Sequence, residues 1–272
     1  MNIVLEIKKK IPGIIRFWKN NYVCNKKCMQ IKKRRDDFFE LQRKRGLDTI
    51  PIFIISFNRL SYIQSMIACL EKIGKKNIVI IDNASTYPPL LDFYKAIPYK
   101  VIRLSENWGY RVFWKNPLFD EYRKSFYIVS DPDIEPIEEC PNDFVERFFN
   151  ILYKYPMVRK VGFSLKIDDL PPKGLFTKNV LKWEKKYNKT LLKKDQIYYA
   201  DIDTTFALYV PDEFVLSGFN EAFRTAYPYQ ARHMPWYKDS SEVTDEDRYY
   251  AAHKTNGWWT VAEGKMTPDK ER

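Results

Sequence analysis

The chain has 272 residues, of which 45% are hydrophobic, 16% aromatic and 30% charged. That composition supplies one large core and excludes an intrinsically disordered chain. Nine glycines exclude a glycine-rich repeat, no run of about 18 uncharged apolar residues exists to span a bilayer, and the first apolar runs are too interrupted for a secretory leader.

The net charge of +11 is uneven. The first 48 residues carry 14 Lys and Arg against five Asp and Glu, a surplus of nine, which leaves +2 for the rest of the chain. Residues 1–48 thus read as a basic helical arm ahead of a nearly neutral body. Its partner is either solvent or an anionic membrane surface, where clustered Lys and Arg gain roughly 1 kcal/mol each. The interleaved Ile11, Ile14, Ile15, Phe17 and Trp18 suit an interface. No nucleic-acid-binding motif accompanies the basic residues, so no nucleic acid is expected as a partner. The cysteines Cys24, Cys28, Cys69 and Cys140 lack the spacing of a zinc knuckle and are read as reduced and structural.

From residue 50 the pattern changes. Short β-branched runs stand at 50–56, 77–83, 100–104 and 125–131, about every 25 residues. That is the spacing of strand–helix–strand units, and continuous apolar strands suit a parallel sheet covered on both faces. Between the first two, Leu60, Ile63, Met66, Ile67, Leu70 and Ile73 form one helical stripe that Gly74 ends. A second amphipathic helix follows Asn142 and stops at Pro156. The fold class is therefore α/β. No GxGxxG follows the first strand and no Walker lysine loop occurs, which removes the main support for dinucleotide or P-loop binding.

Such sheets bind ligands at the carboxyl ends of their strands. Those ends carry Ser56, Phe57, Asn58 and Arg59; then Asp82 and Asn83; then Asn107, Trp108 and Gly109; then Asp131-Pro132-Asp133. Alternate residues of extended chain point the same way, so the two aspartates can face one ligand. Two hard oxygens at one place suit Mg²⁺ or Mn²⁺.

With IPIFIISFNR, VIIDNAS, an ENWG loop and FYIVSDPD in order, the sequence resembles the GT-A glycosyltransferases. It is most similar to the family 2-like enzymes of bacterial polysaccharide synthesis, over roughly residues 50–262. The resemblance implies a GT-A fold: a mostly parallel central sheet of Rossmann-like units with helices on both faces. It implies a nucleotide-sugar half at 49–135, an acceptor half at 136–262 and a polar tail at 263–272. Ser56, Phe57, Asn58 and Arg59 would line the nucleobase and ribose pocket, and Asp82 and Asn83 would meet the base edge. Asn107, Trp108 and Gly109 would approach ribose or diphosphate. Asp131 would serve the ribose or the metal, Asp133 would hold Mn²⁺ or Mg²⁺, with His233 as a further ligand, and Arg232 would neutralise diphosphate. An ion there suits a nucleoside diphosphate leaving group, whose developing charge needs a cation.

In the second half, residues 198–215 read as a strand with acids at its mouth and then a turn at Pro211, and residues 216–223 resemble the segment that precedes the catalytic acid. Inversion needs a carboxylate to take the acceptor proton. Asp201, Asp203, Glu246 and Asp247 are the candidates. Asp203 leads, because burial at a strand mouth would hold it rigidly, and Glu246 follows by the family pattern. Late aromatics, Trp258 among them, suit either a sugar platform or ordinary packing.

The expectation is a cytoplasmic glycosyltransferase, peripheral to the inner face of the membrane. It would move a sugar, UDP-linked by preference, to a glycan or lipid-linked glycan, with inversion. A retaining reaction, a sugar-nucleotide nucleotidyltransferase and a basic-armed scaffold without catalysis are the rivals.

Overall fold

A computed structural model describes residues 26–254 except 157, 175, 204, 216–220 and 239–241, together with 259–260 and 265–266. The first 25 residues of the basic arm, most of the segment at 216–223, Trp258 and most of the polar tail lie outside the described residues.

The apolar runs become strands where expected: β1 (Ile52–Ser56), β2 (Ile78–Asp82), β3 (Lys100–Arg103) and β4 (Tyr127–Ser130). β1 and β2 are buried on both sides. Their alternate residues serve two different cores. Ile52, Ile54, Ile78 and Ile80 pack into the larger one. Phe53, Ile55, Val79 and Ile81 pack into the smaller one. A strand with apolar neighbours on both faces has no position for a polar residue, which is why these runs show no alternation. β3 differs: it lies at the edge of the sheet, and its four residues are exposed or half-buried.

The larger core lies beneath α1 (Lys26–Arg45), α2 (Leu60–Lys72), α3 (Pro88–Ala96), α5 (Phe144–Lys154) and α6 (Thr177–Glu184). The stripe read in α2 is the buried one, with Tyr62 added to it. Gly74 ends that helix at φ +77°, a left-handed conformation that costs glycine least, and Lys75 N–H returns to the Leu70 carbonyl at 2.8 Å. Among the described residues the opposite face is covered by the four-residue α4 (Val112–Lys115), the turn at Phe119, Tyr122 and Ile202.

Strand order is β3-β2-β1-β4-β9-β6-β10-β8-β7, with the short β5 (Ile134–Pro136) also paired to β10. Here β6 is Lys160–Leu165, β7 Leu191–Leu192, β8 Ile197–Tyr199, β9 Ala207–Tyr209 and β10 Ala222–His233. Seven of these ten strands run in one direction, and only β5, β8 and β9 oppose them. The class is α/β with a mostly parallel sheet, as expected.

Residues 198–210 depart from the single strand expected of them and form the end of β8, an irregular passage and β9, while the turn expected at Pro211 is present. β9 inserts antiparallel between β4 and β6, so one sheet runs unbroken from the first half of the chain into the second. The approach is close at Gly162, where an added Cβ would stand 2.4 Å from the Phe206 carbonyl oxygen.

The described part of the basic segment packs on the body. Phe39 is wholly buried against Phe126 and Phe149. Arg35 is buried too, and its guanidinium donates to the Leu152 and Tyr153 carbonyls at the C-terminal end of α5. Those carbonyls have no partner within their own helix.

Candidate functional site

β1 lies between β2 and β4 in the sheet, so the loops leaving β1 and β4 diverge from one point. A crevice at such a point is where open α/β sheets hold ligands. Ser56 to Arg59 leave β1 there, and Asp131 to Asp133 leave β4.

The centre of the site is assembled by strand pairing. After Asp133 the chain forms β5, which pairs antiparallel with the end of β10 and sets His233 opposite Ile134. Met234 N–H donates to the Asp133 carbonyl at 2.9 Å. This brings His233 Nε2 to 3.5 Å from Asp133 Oδ2, both side chains mostly buried. Burial pushes the imidazole below its ordinary pKa, with Asp133 opposing and Arg59 adding to the shift. The ring is therefore neutral at pH 7, the state that ligates metals. Asp133 Oδ1 is buried and accepts no hydrogen bond. A carboxylate and a neutral imidazole with an unused inward oxygen fit Mn²⁺ or Mg²⁺ as a pair of donors, and the nitrogen favours Mn²⁺. Among the described residues no group of three His, Cys, Asp or Glu side chains forms a ready-made cage, so Asp131 does not complete one.

Arg59 stands beside this pair. Its guanidinium lies 3.9 Å from the Tyr250 ring centroid and 5.2 Å from that of Tyr62, and it donates to Asp247 Oδ1 at 2.5 Å. Asp247 also accepts from Lys238 and from the backbone and hydroxyl of Thr244. Burial would raise its pKa, but these donors outweigh burial and hold it at about 2. Burial pushes the Tyr250 phenol up, and both Asp133 and Asp131 push it further, so the two aspartates bear on the same ring.

Behind the crevice, several residues read as ligand contacts serve the frame instead. Asn58 is wholly buried at φ 52°, and its Oδ1 accepts from Thr86 N–H and Tyr87 N–H. Ser56 and Asp82 are also without exposure. Ser56 accepts from Tyr94 OH at 3.0 Å. Asp82 takes Tyr94 OH on one oxygen and Arg103 Nε and Ser85 N–H on the other. A carboxylate so enclosed positions the loop and leaves no oxygen for a base edge. Asn83 holds the next loop by donating to Asn107 Oδ1 and the Gly109 carbonyl and accepting from Trp108 N–H. The bracing pays off at the surface. Asn107, Trp108 and Gly109, with Arg111 and Lys115, line an open cleft of about 470 Å³. The residues that face outward are thus Phe57, Asn107, Trp108, Gly109 and Asp131, none of which is buried.

Three further assignments change. Arg232 is held by Asp169 through both Nε (2.9 Å) and a terminal nitrogen (2.7 Å). Neighbouring strand residues face opposite ways, so Arg232 and His233 serve different sides of β10. Glu246 is buried at the start of α7 (Asp245–His253). Its carboxylate accepts from Leu60 N–H, Ser61 N–H and the Ser61 hydroxyl, which caps α2. Asp203 is exposed rather than buried, because the strand starts only at Ala207. Asp201 is exposed as well.

Sequence reading takes Tyr250 only as one of the late aromatics that suit a sugar platform or packing, and misses Tyr62, Arg111 and Lys115. The last two carry a visible signal, a cation pair four residues apart directly after the ENWG loop. Tyr62 carries none, since an aromatic within an amphipathic helix reads as core.

No protein-family model matches the chain. No curated protein is similar to it at a significant level. Among solved structures it is similar to glucosyl-3-phosphoglycerate synthase from Mycobacterium tuberculosis in complex with phosphoglyceric acid, with 11% identity and a TM-score of 0.35. The match covers 60% of this chain and spans 57% of the length of that one. A likeness of this size assigns neither a family nor an activity.

Proposed function

We propose that the chain is a GT-A-type glycosyltransferase that moves a sugar from a nucleotide-sugar donor, UDP-linked by preference, to a glycan or lipid-linked glycan. One observation carries the reading: Asp133 and His233, a hundred residues apart, meet at the crevice where the loops of β1 and β4 diverge. A structural aspartate at a turn needs no imidazole beside it and would not keep an inward oxygen without a donor.

In this reading Asp133 and His233 hold Mn²⁺ or Mg²⁺, with Asp131 at its edge. The ion, when bound, supplies positive charge to the nucleoside diphosphate that leaves. Trp108 and Phe57 offer flat faces for a base or ribose, and Arg111 and Lys115 offer cations to the diphosphate from the cleft wall. Arg59, locked by Asp247 and stacked on Tyr250, fixes the loop after β1. Asp203 is the candidate base, because the carboxylate of Glu246 is already engaged at the α2 N-terminus. The chemistry is an inverting displacement. No helix among the described residues is long and apolar enough to cross a membrane. Attachment to an anionic membrane through the basic N-terminal segment is part of the same proposal.

The test is a thermal-shift panel of UDP-, GDP-, CMP- and dTDP-sugars with and without Mn²⁺. A ligand that binds only the native state adds about 2.7 kcal/mol at a hundredfold excess over its Kd. We expect one nucleotide to stabilise the protein in the presence of Mn²⁺ and to lose that effect in Asp133→Ala. Absence of a metal-dependent shift with all four nucleotides sinks the reading.

A further inference from the structure

A second cleft, of about 520 Å³, opens beside the Asp133–His233 pair. Ser61, Tyr62 and Ser65 of α2 line it, together with Tyr87, Glu135, Met234, Lys238 and the residues that open α7. Tyr62 joins the two sites: it lines this cleft, and the Asp133 carboxylate helps to raise its phenol above the ordinary pKa, after burial. Its hydroxyl is buried without a hydrogen-bond partner.

From this cleft we infer a binding site for a neutral polyhydroxylated ligand, a glycan free of phosphate and carboxylate, placed as the acceptor of the transfer. The inference rests on the proposed glycosyltransferase activity for its purpose but on the cleft itself for its chemistry. The hydroxyls of Ser65 and Tyr87 both donate and accept, and those of Ser61 and Thr244, whose protons go to Glu246 and Asp247, keep lone pairs that accept, which together match the mixed donor and acceptor pattern of a sugar. The charge in the walls opposes an anion. With Asp245 paired to Arg248 at 2.7 Å and Lys238 to Asp247 at 2.9 Å, Glu135 and Glu246 leave the lining negative. The first N–H groups of α2, which would otherwise attract an anion, are capped by Glu246. The first cleft is the reverse, with Arg111 and Lys115 against Glu106. The two clefts thus divide by charge: the anionic donor suits one and an uncharged sugar suits the other.

The experiment is saturation-transfer-difference NMR on the full chain with two panels of oligosaccharides, one neutral and one of the same sugars phosphorylated. Ser65→Trp, on the exposed face of α2, fills the cleft without touching the core. Wild type is expected to saturate at least one neutral oligosaccharide, and Ser65→Trp to lose that signal tenfold or more with an unchanged melting temperature. Glu135→Arg is the second variant and is expected to admit phosphorylated sugars that wild type rejects. UDP with Mn²⁺ is measured on the same samples by thermal shift. The inference is overturned if no neutral sugar binds, if phosphorylated sugars bind wild type better, or if Ser65→Trp leaves binding intact. Loss of the nucleotide shift alone, with sugar binding retained, would instead remove the glycosyltransferase reading and leave the glycan site standing.

Discussion

Asp247 gathers Arg59, Lys238 and Thr244 around a side chain with no exposure. Its pKa in the folded chain is about 2, against about 3.9 for a free aspartate. A depressed carboxylate contributes stability that is complete above the unfolded pKa and is lost as pH falls through the folded one. The window is therefore about pH 4 down to 2, and the contribution is about 2 kcal/mol. Asp247→Asn should flatten the loss of stability across that window, read by urea denaturation at stepped pH. It should also cost about 3–5 kcal/mol at pH 7, because Arg59 is left buried without its carboxylate. An unchanged acid limb in the variant would place the titration elsewhere. At Asp133 the expectation is different. Asp133→Asn keeps the size of the side chain, so the melting temperature should hold while the Mn²⁺-dependent nucleotide shift disappears.

Helix α2 shows how two distant segments complete one element. Its N-cap position is Arg59, whose side chain makes no capping bond, and the missing acceptor comes from Glu246. Loss of a cap costs about 1 kcal/mol. Glu246→Gln keeps one acceptor oxygen and should lose less stability than Glu246→Ala, in urea or heat. Sugar transfer by Glu246→Gln should persist within about tenfold; complete inactivity with normal stability would return this residue to the role of base. A second element-scale expectation concerns the inserted strand β9. The Cβ of Gly162→Ala would meet the Phe206 carbonyl at 2.4 Å and the Ala207 Cβ at 2.7 Å. Overpacking of that kind costs about 1–3 kcal/mol, and a β6–β9 contact made only late in folding would show it chiefly as faster unfolding.

For the molecule as a whole, the basic N-terminal segment and the body are less separate than their charges suggest. Phe39→Ala should cost about 3–5 kcal/mol in global stability, because its ring fills the same core as α5 and β4. A loss below about 1 kcal/mol would mean that the helix rests on the body without stabilising it. The charge surplus has its own readout. The full chain should sediment with phosphatidylserine vesicles at low salt and be released as salt rises, since such attraction is screened within about 10 Å at 0.1 M. Sedimentation unaffected by salt, or absent at low salt, would remove the membrane from the proposal.

The strands at 52–56 and 78–82, the stripe of α2 and the stop at Gly74 were legible because each follows from local physics: β-branched runs, helical periodicity, a residue without a Cβ. So was the placement of Asp131 and Asp133 at a strand end. Meetings between distant residues were not legible from local pattern. The resemblance alone sets His233 beside Asp133, nothing near Glu246 announces the bare N-terminus of α2, and Asp82 is enclosed by Arg103 and Tyr94 only once β3 and α3 have docked. Exposure was equally hidden: Asp203 reads as buried until the irregular passage before β9 leaves it in solvent. The sequence by itself determined the elements and the acids at their ends, since those depend on neighbours within one turn or one strand. The tertiary structure decided which acids stand at the crevice and which brace the frame, since a carboxylate's surroundings depend on the donors that reach it, and those arrive from across the sheet.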